Sequence, residues 1–113
     1  MKDYIKLYIQ LCGLISDNTA DYGDKRKVKI HNSAMKKLNA ICDELRANIP
    51  YATELLSTLL KNENEQVKLI SASHCLKLGI CSATAKNVLI DIQRNSNNKV
   101  RAFDAEMILK SLK

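Results

Sequence analysis

The feature that most constrains this chain is its likeness to itself. A shift of 33 residues lays LLSTLLKNENEQVKLISASHCLK over VLIDIQRNSNNKVRAFDAEMILK. In that register Leu56 falls on Leu89, Leu59 on Ile92, Asn62 on Asn95 and Asn64 on Asn97. Val67 then falls on Val100, Lys68 on Arg101, Ile70 on Phe103, Ala72 on Ala105, Leu76 on Leu109 and Lys77 on Lys110. Two unrelated amphipathic helices readily match in apolar positions. They do not readily match in apolar size, turn asparagines and a basic position together. A weaker copy, carried by Ala34 and Leu38, falls in the preceding segment. One such unit cannot bury its apolar face alone, and about three must stack to make a stable core. The expectation is a single all-α domain over residues 1–113, with six helices in three antiparallel pairs over 3–46, 51–78 and 82–112.

Composition agrees with helices. Three glycines, one proline, one phenylalanine and no tryptophan supply too few turn formers for an all-β fold. The apolar spacing predicts helices over Asp3 to Asp17 and Asp24 to Arg46, the second burying Ala34, Leu38, Ile41, Cys42 and Leu45. Turn formers fill residues 16–23 between them. Pro50 is expected to break the second helix and YATELLSTLLK to form the third. Gly79 should cap the fourth, Ser82 should cap the start of the fifth, and the sixth should follow the turn NSNN.

LLKNENEQVKLISASHCLKLG resembles the HEAT repeat, in which an apolar helix and an Asp/Asn turn precede a Val-Arg/Lys pair that opens a second helix. Val67-Lys68 and Val100-Arg101 carry that pair, and Ala72 with Leu76 and Ala105 with Leu109 carry the inner face. The turn prolines are missing, and Asn62 and Asn95 stand where the family has aspartate. The last part of the chain also resembles a small bacterial HEAT-like domain family of unknown function, through Ser73-His74-Cys75-Leu76 and Phe103-Asp104-Ala105-Glu106. These resemblances imply a right-handed α-α superhelix and no established activity.

Few residues invite chemistry. Asp104 and Glu106, two apart on a helix, diverge by about 200° and cannot flank one substrate atom. The repeat places them on Ser71 and Ser73, at the flanks of an inner helix with apolar faces on two sides: Ala105, Ile108 and Leu109 on one, Val100, Phe103 and Met107 on the other. Such a helix is expected to be sandwiched in the stack. His74 aligns with Met107 and reads as a packed, hydrogen-bonded core residue. Cys12, Cys42, Cys75 and Cys81 form no C-x-x-C pair and read as reduced core thiols of a cytoplasmic protein, with no zinc-ligand spacing. No Walker loop, dinucleotide fingerprint, H-E-x-x-H or nucleophile elbow occurs. The expectation is a non-enzymatic protein without cofactor or metal.

The net charge of +6 comes mostly from lysine. In DKRKVKIHNSAMKK, a helix brings Lys25, Lys29 and Lys36 within about 40° of one another, with Arg26 and Lys37 as a flanking pair. That stripe attracts polyanions by charge but lacks interleaved aromatics and the arginines of base readout. The apolar run from Leu7 to Ile15 is amphipathic, interrupted by Gln10, and shorter than a membrane span. The expected role is a protein-interaction module, an inhibitor, immunity or adaptor protein, meeting its protein partner through Lys68, Arg101, Asp104 and Lys110. The alternative is a nucleic-acid-binding module using Lys25, Lys29, Lys36 and Lys37. No membrane partner is expected.

Overall fold

A computed structural model describes residues 4–17 and 23–112. Among them are six helices and no strands: α1 (Ile5–Asp17), α2 (Lys25–Leu45), α3 (Ile49–Leu60), α4 (Glu65–Leu78), α5 (Ser82–Asn95) and α6 (Lys99–Lys110). The all-α reading holds. The start of the first predicted helix, at Asp3, and most of the turn at 16–23 lie outside the described residues.

The helices divide into two compact units, Met1–Ala52 and Thr53–Lys113, with the division in the first turn of α3. In the first unit α1 packs against α2. The two run antiparallel, since the Tyr4 hydroxyl just before α1 donates to Glu44 near the end of α2. Tyr8, Leu11, Cys12 and Ile15 of α1 are buried, as are the five α2 residues named from their spacing. Asp24 starts α2: its carboxylate accepts from the backbone N–H of Arg26 (2.9 Å) and Lys27 (3.3 Å), two donors that the helix itself leaves unpaired.

Pro50 does not break α2, which ends at Leu45. It lies in the first turn of α3 instead, where its missing N–H deprives the helix of nothing. Asn48 caps that turn, its side chain accepting from Tyr51 N–H at 3.3 Å.

In the second unit α5 packs against both α4 and α6, and α4 and α6 touch each other. Some residues related by the 33-residue shift are buried alike. Ala52, Leu56 and Leu59 of α3 and Ala85, Leu89 and Ile92 of α5 are all buried, and each pair is 33 residues apart. The turns that follow are shifted. Before α4, Asn62 accepts from Asn64 N–H (2.8 Å) and Asn64 caps the helix. Before α6, Ser96 accepts from Asn98 N–H (3.0 Å) and Asn98 caps the helix, accepting from Arg101 N–H at 3.1 Å. Asn98, not Asn97, is thus the counterpart of Asn64, and the cap slips one residue because α5 runs on to Asn95, leaving only residues 96–98 in the turn where the first has 61–64.

Gly79 closes α4 as expected, at φ 71, and Ile80 N–H returns to the Cys75 carbonyl at 2.9 Å. Ser82 is not the cap of α5. It is the first helical residue, and Cys81 precedes it at φ 48 without a side-chain cap bond. Two left-handed residues within three positions reverse the chain so tightly that α5 begins one residue early.

α4 is buried around most of its circumference, including Gln66, Val67, Ile70, Ala72, His74 and Cys75. α6 is not sandwiched. Ala105 is fully buried, but Val100, Phe103 and Met107 are 47%, 58% and 48% exposed. The second apolar face of α6 is therefore open within this chain.

Candidate interaction surfaces

In the second unit, Arg101 of α6 turns toward the start of α4. Its Nε donates to Gln66 Oε1 at 3.0 Å, and its Nη1 lies 3.5 Å from Glu65 Oε1. Glu65 Oε1 also accepts from the Ser96 hydroxyl at 2.5 Å. One guanidinium, one carboxylate, one amide and one hydroxyl thus tie the turn before α6 to the first turn of α4. The anionic end of this group suits the N-terminus of α4, where the helix dipole favours a carboxylate.

Arg101 is accordingly engaged within the fold. Lys110 pairs with Glu106 one turn away at 3.5 Å, both partly exposed. Asp104 and Lys110 are exposed and border the open stripe Val100, Phe103 and Met107, while Lys68 on α4 is half-buried. Of the four residues expected to meet a partner, two thus flank an apolar surface that periodicity alone had assigned to the interior.

In the first unit, Lys25, Lys29 and Lys36 line one open surface depression on α2, together with Val28, Asn32 and Ser33. A neighbouring cleft of about 310 Å³ lies between α1 and α2. It is lined by the apolar Leu11, Leu14, Ile30 and Ala34 together with Lys29, Ser33 and Lys37. The structure therefore brings all four predicted lysines to adjoining concavities, with Lys29 common to both. The apolar lining was missed, because it combines flanks of two helices that no local pattern relates.

The buried polar groups fit a packed interior. His74 is 3% exposed, and no buried side-chain nitrogen or oxygen among the described residues lacks a hydrogen-bond partner. Cys12, Cys42 and Cys75 are buried, whereas Cys81 is half-exposed in the α4 to α5 turn and is not a core thiol. Burial pushes the Cys12 thiol up to about 12, so it is protonated and unreactive near neutrality. The Tyr4 hydroxyl is also held above its ordinary value, chiefly by its hydrogen bond to Glu44. Among the described residues no three His, Cys, Asp or Glu side chains converge on a point that would hold a metal ion. No described helix is long and apolar enough to cross a membrane.

These features define an all-helical protein whose described buried polar side chains are hydrogen-bonded and whose surface carries polar-rimmed apolar patches. The chain belongs to the DUF2019 family, a domain of unknown function, which matches residues 2–113. No curated protein and no solved structure matches it.

Proposed function

We propose that this chain is a non-enzymatic, HEAT-like interaction module that binds another protein through α6, as an inhibitor or adaptor does. One observation carries the reading: α6 has the apolar pattern of α4, suited to burial on two sides, yet leaves Val100, Phe103 and Met107 largely uncovered. A contiguous exposed stripe of this kind bordered by charge is the usual mark of a protein contact. Asp104 and Lys110 supply the polar border and orient the partner. Arg101 supports the surface from behind by holding the start of α6 against α4.

The test is paired affinity capture from the native host with the wild-type chain and with Phe103→Asp/Met107→Asp, read by mass spectrometry. A stoichiometric protein retained by the first and lost by the second, at unchanged thermal stability, is the expected result. Equal capture by both would remove α6 from the reading.

A second reading rests on the α2 depression, where Lys25, Lys29 and Lys36 converge and Lys37 stands nearby. Those four lysines would contact nucleic-acid phosphates. Binding to random duplex that weakens steeply with salt, and that is lost when the four are changed to glutamate, would support it. Absence of binding at low salt would end it.

A further inference from the structure

The cleft between α1 and α2 differs in kind from the lysine stripe beside it. Leu14 is 39% exposed and Leu7, two turns earlier, is 42% exposed. They lie within about 20° of each other on the side of α1 that borders the cleft. Leu11, Ile30 and Ala34 continue this apolar strip inward. Lys29 and Lys37 line the same cleft, and Lys25 and Lys36 line the depression beside it on α2. From residue 25 to residue 42 the chain contains no carboxylate, and neither the Arg101–Glu65 nor the Lys110–Glu106 ion pair involves these four lysines. A run of apolar surface is therefore edged on one side by positive charge that the helix does not neutralise.

We propose that the cleft between α1 and α2 is a docking groove for an acidic amphipathic helix of a partner protein, whose leucine-type side chains enter between Leu11, Leu14 and Ile30 while its carboxylates meet Lys29 and Lys37.

Three considerations select this occupant. Nucleic acid would use the lysines but leave the apolar side chains unused, and no aromatic side chain for base stacking lines the groove among the described residues. A small molecule is poorly served, because a cleft of about 310 Å³ is at the bottom of the range that encloses such ligands and this one is open along its length. A helix answers both parts of the surface: anchors at i, i+3 or i+4, and i+7 follow an apolar strip about 10 Å long, and acids on one flank face the lysines. Charge opposition also sets the orientation, since only the acidic flank can face α2.

The groove is independent of the α6 stripe in the other unit, so the two proposals stand or fall separately. The probe is a fluorescein-labelled helical peptide of about four turns, with leucines at i, i+4 and i+7 and glutamates along one flank, titrated against the full chain by anisotropy. Three competitors accompany it: a scrambled peptide of identical composition, polyglutamate and random duplex DNA. The expected result is saturable binding that the scrambled peptide and polyglutamate do not displace. Binding should weaken about tenfold or more in Leu14→Ser and in Lys29→Glu/Lys37→Glu. Both variants change exposed positions, and unchanged circular dichroism and melting confirm that they fold. Equal binding of the scrambled peptide, indifference to Leu14→Ser, displacement by DNA at equal charge concentration, or no binding of the probe would each overturn the proposal.

Discussion

Removing the Arg101 side chain separates a structural role from a partner-binding one. In Arg101→Met the aliphatic stem is kept and two contacts are lost, the bond to Gln66 and the ion pair to Glu65. Gln66 is 7% exposed, and its Oε1 would lose the 3.0 Å charge-assisted bond from Arg101 Nε. Leaving a buried amide oxygen without its donor costs about 1–3 kcal/mol. The ion pair to Glu65 is long and partly solvated, with the two side chains 22% and 30% exposed, so solvent screening holds it to about 0.5 kcal/mol. Glu65 keeps the Ser96 hydroxyl as a donor. The net expectation is a loss of about 2 kcal/mol, or a fall in Tm of roughly 5–10 °C for a chain of this size.

Urea denaturation of the wild type, Arg101→Met, Glu65→Gln and the double variant measures this directly. The cycle should return a coupling between Arg101 and Glu65 of about 0.5 kcal/mol, with most of the Arg101 loss remaining in the Glu65→Gln background, where Gln66 still needs its donor. Lys110→Met serves as the control, since its exposed pair with Glu106 is worth only about 0.3 kcal/mol. A loss below about 0.5 kcal/mol in Arg101→Met would refute the reasoning. It would return Arg101 to the surface as a residue available to a partner.

Three further outcomes follow from local geometry. Asn98→Ala should lose about 1 kcal/mol through its cap to Arg101 N–H, while Asn97→Ala should lose almost nothing; the reverse order in a denaturation series would restore the uniform 33-residue register. Gly79→Ala should also lose about 1 kcal/mol, and purely through backbone strain, because no atom lies within 4 Å of an added Cβ. Gly79→Asn should recover part of that loss, and equal stability of all three would contradict the left-handed cap. In alkali, the Cys12 thiol, with its folded value raised to about 12, contributes stability that is fully present below its ordinary value of 9.0 and is lost as pH rises between the two. Tyr4 acts in the same direction above its ordinary 10.0. Urea midpoints should therefore fall as pH rises above 9.0, and fall less steeply in Cys12→Ala, whose neutral-pH stability is lower to begin with.

The helices were legible because their apolar periodicity is strong. The buried side of α2 follows from spacing alone, and α3 and α5 bury matching residues because each needs the same one-sided stripe. The turns were less legible for a physical reason. Ser96, Asn97 and Asn98 are all good capping residues, and which one caps is decided by where Ser96 meets Glu65 of a neighbouring helix, a tertiary contact absent from any local pattern. Ser82 illustrates the same competition. A serine before a helix is a fair signal, but the left-handed pair Gly79 and Cys81 settled the start of α5 through the backbone. The charged half of the α1 and α2 surface could be read from the 100° spacing of lysines on one helix. Its apolar half required two helices to meet.

The open face of α6 marks the limit of pattern reading most clearly, since periodicity tells what a helix can bury and not what the chain supplies to bury it. Its energetics also restrict what can cover it. Val100, Phe103 and Met107 are each about half exposed, so covering all three gains about 3 kcal/mol on one copy. Two copies meeting through this stripe alone would gain about 6 kcal/mol, against an association cost of at least about 4 kcal/mol before any side chain is ordered. The surplus corresponds to dissociation constants well above 1 mM, roughly. Sedimentation equilibrium at about 100 μM should therefore find a monomer, because a tight complex needs a partner that adds polar contacts at Asp104 and Lys110 and further apolar area of its own. A dimer at that concentration, abolished by Phe103→Ser, would show that the stripe is satisfied by self-association and would remove the reason to seek another protein there.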